Sequence, residues 1–147
     1  MTIRQVVYSQ IAVSLLLMLV LAATSLFRVK GNTSPSEPRG LWRLTDEPLR
    51  RGSYVVLKMP LKQIAALNGD AVQTTPEGSY IDGKLWPHSG IPAGVRDHFP
   101  YGYHVLHAGQ VWVLGNHPLS WDSRYFGPVP EALVASTAEP LLTEETR

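Results

Sequence analysis

The sequence predicts a mainly β domain of short antiparallel strands, preceded by one N-terminal transmembrane helix. Three observations predict it. Residues 5–27 contain no charge, a stretch long enough to cross a bilayer as a helix. Twelve prolines and twelve glycines in 147 residues, with few long runs of helix formers, favour short strands and turns over a bundle. Asp82-Gly83 stands between Tyr80-Ile81 and Lys84-Leu85 and is the strongest hairpin signal, since both turn residues accept positive φ.

Within the apolar stretch, Ile11 to Ala23 is interrupted only by Ser14, and the 23 uncharged residues reach about 34 Å as a helix. A cleavable signal peptide is the rival, with Val20 and Ala22 as small residues before a cut. The apolar core runs close to the upper length for such a segment, so a retained anchor is expected. The chain then divides into a stub and anchor, residues 1–30, and a domain, residues 31–147. Arg4 precedes the span while Arg28, Lys30, Arg39 and Arg43 follow it; by charge alone the domain belongs on the cytoplasmic side. A short single span followed by a folded domain can translocate against that bias, so the chemistry has to decide.

Residues 31–51 read as extended chain near the membrane, with solvated arginines facing Glu37, Asp46 and Glu47. Next come Ser53 to Met59, Lys62 to Leu67 and Ala71 to Thr75, broken by Pro60 and by Asn68-Gly69-Asp70, a strand-and-turn meander. Residues 86–103 read as a Pro/Gly-rich loop whose His88, Asp97 and His98 lack a compact metal-ligand spacing. Gln110 to Asn116 alternates as a strand. The tail from Pro130 holds one further strand, Ala132 to Ser136, and ends in polar residues expected to fray. A 44% hydrophobic, 17% charged chain of net charge +1 is neither disordered nor a strongly basic nucleic-acid binder. The absence of cysteine excludes disulfides, a thiol nucleophile and thiolate-bound metals.

Three segments carry candidate chemistry. In Asn32 to Trp42, Pro35 and Pro38 bracket Ser36 and hold its hydroxyl outside helix; a plain linker has the same composition. A serine needs a base, and no Gly-x-Ser-x-Gly elbow accompanies the five histidines. Lys62 is the alternative base: on a strand, Lys62, Ile64 and Ala66 share one face. Burial there disfavours the ammonium and leaves an amine able to accept a proton. An edge-strand lysine reaching out to water is the other reading. Ser120, Asp122, Ser123 and Arg124 follow the Gln110 strand, and Asp122 and Arg124 can point to one side with Ser120 left to hold the Lys62 amine. A structural turn with a surface ion pair fits the same residues.

Together these segments resemble the signal peptidase I type of membrane-anchored serine/lysine peptidases. Ser36 to Trp42 resembles the nucleophile box, Arg51 to Pro60 the strand after it, Leu61 to Val72 the general-base box and Gly115 to Val129 the closing box. The resemblance implies a signal-peptidase-like complex β fold with Ser36 as nucleophile and Lys62 as general base. Ser120 hydrogen-bonds that lysine, Asp122 and Arg124 form a structural pair, and Ser34 helps to stabilise the oxyanion. Ser-x-Pro-x-Gly-Leu-aromatic, and Asn116-His117 in the closing box, resemble more closely the conjugative-transfer branch, which matures pilin precursors. Gln63 and Asn68 depart from the usual basic residue and proline. The resemblance further implies a single-pass protein of the bacterial inner membrane with its catalytic domain in the periplasm. It would act by hydrolysis or cyclising acyl transfer on a membrane-associated precursor, a pilin or another preprotein, beside pilus assembly proteins. Neither metal nor organic cofactor is required, and no nucleic acid. A general signal peptidase and a catalytically silent scaffold of pilus assembly are the alternatives.

Overall fold

The computed structural model describes residues 2–57 and 60–144. Helix α1 (Ile3–Leu26) opens on a capping box, in which the Thr2 hydroxyl accepts the Gln5 N–H and the Gln5 side chain accepts the Thr2 N–H. Its 24 residues are long and apolar enough to cross a membrane, and none is buried. A helix apolar on all sides has no solvated face to offer, so α1 fits a membrane anchor.

Past α1 the described residues form short strands and little else. In chain order these are β1 (Val29–Asn32), β2 (Gly40–Thr45), β3 (Tyr54–Leu57), β4 (Leu61–Ala66), β5 (Ala71–Thr75) and β6 (Gly78–Ile81). There follow β7 (Lys84–Leu85), β8 (Gly102–Val105), β9 (Gln110–Leu114), the single-turn helix α2 (Ser123–Phe126), β10 (Val129–Pro130) and β11 (Val134–Thr143). A seven-stranded sheet runs β1-β2-β11-β3-β4-β9-β10, and a four-stranded one β7-β6-β5-β8. All pairings are antiparallel, as a mainly β fold with short connections requires.

The hydrophobic clusters follow the strands. Val55, Leu57, Ile64, Val111 and Val113 pack together from β3, β4 and β9. Ala66, Val72, Ile81, Leu106 and Trp112 join the larger sheet to the smaller. Trp42 of β2 is buried against Val56, Leu61 and Ala138, its ring edge-on to Tyr54 at 4.7 Å.

Several expectations change. Residues 31–51 are not plain extended chain: β1 and β2 pair as a hairpin, Val29 opposite Arg43 and Asn32 opposite Gly40. The β structure therefore starts ahead of the expected boundary at residue 30. The tail strand is longer than Ala132 to Ser136: β11 reaches Thr143 between β2 and β3, residues 131–133 form a 3-10 turn, and the last polar residues, 145–147, lie outside the described residues. The 86–103 loop gives way to β8 at its end. In the Ser53 to Met59 strand, β3 covers Tyr54–Leu57, and Lys58 and Met59 lie outside the described residues. The Asp82-Gly83 turn forms with positive φ at both positions, 52° and 73°.

Candidate active site

Ser36 lies in the loop that joins β1 to β2, and its neighbours pin that loop from within. The Asn32 side chain donates to the carbonyls of Ser34, Glu37 and Pro38, while its Oδ1 accepts the Ser34 N–H. The Trp42 indole N–H donates to Pro38 O at 3.1 Å. Two prolines remove backbone donors that would otherwise need partners, and one asparagine ties the remaining carbonyls together. Ser36 is thus fixed, with its side chain 7% exposed.

Lys62 enters from β4, opposite Val55 of β3. It is 1% exposed, and its Nζ donates to Ser120 Oγ at 2.6 Å. Ser120 Oγ in turn donates to Ser36 Oγ at 3.1 Å. The path from amine to serine therefore runs through the Ser120 hydroxyl. Burial pulls the Lys62 amine below the usual lysine range, against the opposing pull of the Asp122 and Glu37 charges. Ile64 shares the Lys62 face, but the expected period of two ends there, because a bulge lies between Ile64 and Ala66. Ala66 packs in the cluster with Val72 and Trp112 instead.

Ser34 Oγ donates to Ser36 Oγ at 3.2 Å and accepts the Ser36 N–H at 3.2 Å. The hydroxyl and the amide that face a reacting carbonyl in the oxyanion reading are paired with each other at rest. Beside them a recess is lined by Asn32, Ser34, Trp42, Val56, Pro60 and Leu61.

The wall behind Ser120 is built by Asp122 and Arg124. Their ion pair is buried, not at the surface: Arg124 Nε donates to Asp122 Oδ1 at 2.8 Å and Nη2 to Oδ2 at 2.8 Å. Asp122 caps α2 through the Arg124 N–H and also accepts the Gly115 N–H. The remaining guanidinium donors reach the carbonyls of His88, Gly90, Pro118, His117 and Ser120. One side chain thus ties the 88–90 segment to the turn that carries Ser120. The approach of that turn requires Gly115, where a Cβ would overlap Ser120 Oγ and stand 3.1 Å from Ser36 Cβ.

Glu37 departs most from the sequence reading, which placed it among solvated surface charges. It is 3% exposed. Its Oε1 accepts the Asn116 N–H at 3.2 Å, and that same N–H donates to Ser36 O at 2.5 Å. Its Oε2 is buried without a hydrogen-bond partner among the described residues. Burial raises the carboxyl to about 8, against the lowering effect of the Asn116 N–H and Lys62, with Asp122 pushing further upward. Asn32, Glu37, Gly115 and Asn116 are the site residues whose part the sequence reading missed. The available signal was their adjacency to Ser36 and Ser120.

The chain is a peptidase by family. The model of the family "Signal peptidase, peptidase S26" matches residues 2–142, and the chain belongs to that family. Among its relatives is the "Conjugal transfer protein TraF" of Agrobacterium tumefaciens (strain 15955), 30% identical over an alignment covering 76% of this chain and 81% of that protein. The "Plasmid transfer protein TraF" of Escherichia coli is 27% identical, covering 86% and 89%. Among solved structures, the chain is similar to a signal peptidase I from Enterococcus faecalis V583, with a TM-score of 0.43 and 21% identity over 63% of this chain and 98% of that one.

Proposed function

We propose that this peptidase is a membrane-anchored serine endopeptidase in which Ser36 is the nucleophile and Lys62 the general base, and that it processes a pilin precursor of a conjugative transfer system. The observation that carries this reading is the buried hydrogen-bonded run from Lys62 Nζ through Ser120 Oγ to Ser36 Oγ. A buried amine is a usable base near neutral pH, and a serine without one is not a nucleophile. The transfer role draws on the names of the relatives. In this reading residues 1–30 anchor the protein in the inner membrane, and residues 31–147 form the periplasmic domain.

The Ser36 proton passes to Lys62 as Ser36 Oγ attacks the scissile carbonyl, with the Ser120 hydroxyl standing between them in the resting geometry. Hydroxyl hydrogens rotate, so Ser120 donates to a neutral amine while accepting from Ser36. The oxyanion takes the Ser36 N–H and the Ser34 hydroxyl as donors once these release each other. The ammonium of Lys62 then protonates the departing amine. The apolar recess formed by Trp42, Val56 and Leu61 beside Ser34 suits a small side chain next to the scissile bond. Water, or the substrate's own N-terminal amine, then attacks the acyl-enzyme.

Intact-mass spectrometry of a co-expressed pilin precursor tests the reading. With the wild-type chain the precursor is cut in two: hydrolysis leaves two linear fragments, whereas cyclisation releases the C-terminal piece as a free amine and gives an N-terminal fragment lighter than its linear form by one water. With Ser36→Ala or Lys62→Ala the full-length precursor persists. Equal processing by both variants overturns the dyad.

A further inference from the structure

Beside the proposed dyad lies a second buried titratable group, Glu37, to which the mechanism above gives no role. It follows Ser36 directly in the chain and is almost fully enclosed. Its two oxygens are unequal: Oε1 holds the Asn116 N–H that also binds Ser36 O, whereas Oε2 has no hydrogen-bond partner among the described residues. Buried carboxylates ordinarily have both oxygens filled, as Asp122 does here. Glu37 and Lys62 belong to one buried hydrogen-bonded cluster, joined through the Asn116 N–H, Ser36 and the Ser120 hydroxyl, and the Asn116 N–H and the Lys62 charge both favour loss of the carboxyl proton against its burial.

We infer that Glu37 is a positioning residue for the Ser36/Lys62 reaction, its carboxyl titrating as a coupled pair with the Lys62 amine and so setting the pH at which that amine becomes a base. The inference rests on the proposed dyad. Once Glu37 is ionised, its charge favours the ammonium form of Lys62; while it holds its proton, Lys62 feels chiefly its own burial. The other charged and titratable groups that act on this pair are Asp122, Arg124 and Tyr54. Asp122 favours a proton on both Glu37 and Lys62, and Arg124 opposes one on Lys62. The Tyr54 hydroxyl on β3 is raised by burial and by the Glu37 charge. Arg124 and Asp122 are joined to each other at two points, whereas Glu37 is the incompletely paired acid beside Lys62. Coupled sites share their protons, so removing either charge must move the other's midpoint by a like amount.

The chain has four lysines and seven glutamates, few enough to follow singly by carbon NMR of lysine- or glutamate-labelled full-length protein in detergent micelles. Glu37→Gln keeps an Oε1 acceptor for Asn116 and removes only the charge. The Lys62 midpoint is expected to fall by about one pH unit or more in Glu37→Gln, the size of a close opposite-charge effect. Reciprocally, the Glu37 midpoint is expected to rise in Lys62→Met, which keeps the test open should either variant fail to fold. A merely structural Glu37 moves neither midpoint. A Lys62 midpoint held below the usual lysine range and unchanged by Glu37→Gln overturns this inference and leaves the dyad standing. A Lys62 midpoint in the ordinary range near 10.4 in both proteins overturns the dyad and this inference together.

Discussion

The site buries two acids, Asp122 and Glu37, and two bases, Arg124 and Lys62, and treats them in opposite ways. Asp122 and Arg124 are joined at two points, and the other guanidinium donors end on five backbone carbonyls. Glu37 and Lys62 have no such completeness. The amine donates to one serine, and one carboxyl oxygen has no partner among the described residues. The contrast separates framework from chemistry. A buried pair with its hydrogen-bonding positions filled is held in place, because breaking it strands an unpaired charge in a low-dielectric interior. A loosely satisfied pair keeps protonation states close in energy and can exchange protons near neutral pH. Arg124 therefore holds the turn of Ser120 in place, and Lys62 and Glu37 are left to titrate.

The widest separation between the two pairs is expected in their catalytic effect. Lys62→Ala and Ser36→Ala should each lower precursor processing by on the order of 10^4-fold or more, with the fold retained. Lys62→Met should leave thermal stability unchanged or raised, since an apolar side chain of similar volume replaces a buried polar amine. Processing within tenfold of wild type by either alanine variant breaks the division of labour.

Next in size is the framework pair. Arg124→Ala strands Asp122 and frees the carbonyls of His117, Pro118 and Ser120, so a loss of about 3–5 kcal/mol is expected in chemical denaturation. Activity falls with it, because the turn carrying Ser120 loses its tie. A loss below about 1 kcal/mol would put this pair in the class of surface ion pairs and remove the contrast.

The loose pair should write itself into stability as a pH dependence. Glu37 has a folded-state value of about 8 against 4.5 in the open chain, so between those values the folded chain holds a proton that the unfolded chain has released. Stability contributed by the neutral carboxyl is full below pH 4.5 and is lost as the pH rises to 8. Lys62 works in the opposite sense: its folded-state value is lowered, so its contribution recovers as the pH climbs toward 10.5. Unfolding free energies of wild type and Glu37→Gln are therefore expected to diverge between pH 5 and 8. The variant should lead by about 4–5 kcal/mol at the alkaline end, the cost of ionising a carboxyl held that far above its open-chain value. Parallel curves would mean that the Glu37 carboxyl ionises alike in the folded and the unfolded chain.

What the sequence made legible follows the same division. α1 was readable because a bilayer demands an uncharged run of fixed length, and the β6–β7 turn because Asp82-Gly83 tolerates positive φ. Lys62 stood out as a charge in step with an isoleucine on a strand. β1, β2 and the length of β11 were not legible: β1 has no buried position, β2 and β11 mix exposed and buried ones, and β11 is paired on both sides by strands distant in the chain. The fates of the charged residues were equally hidden. Asp122 and Arg124 read as a pair that fixes the loop, with a surface ion pair left open, and Glu37 as a counterion to nearby arginines, because local sequence does not reveal that Gly115 lets one turn close over another. Burial of a polar side chain is a tertiary event, and the same letters serve on either side of it.

Ser34 offers the finest test, since it belongs to neither pair. Its hydroxyl is bound to the Ser36 side chain and its oxygen to the Ser36 amide, so at rest it satisfies the two groups on which the proposed acyl transfer would depend. If it turns toward the oxyanion as charge develops, Ser34→Ala loses an interaction made only in the transition state. The expected result is a fall of about 10^2 in kcat, about 2.7 kcal/mol, with KM little changed. If instead it merely orients the resting loop, the Asn32 side chain already does much of that work, and the loss should be small and shared with KM. Ser34→Thr, which keeps the hydroxyl, should restore kcat in the first case; failure to do so would assign Ser34 to the framework alongside Arg124.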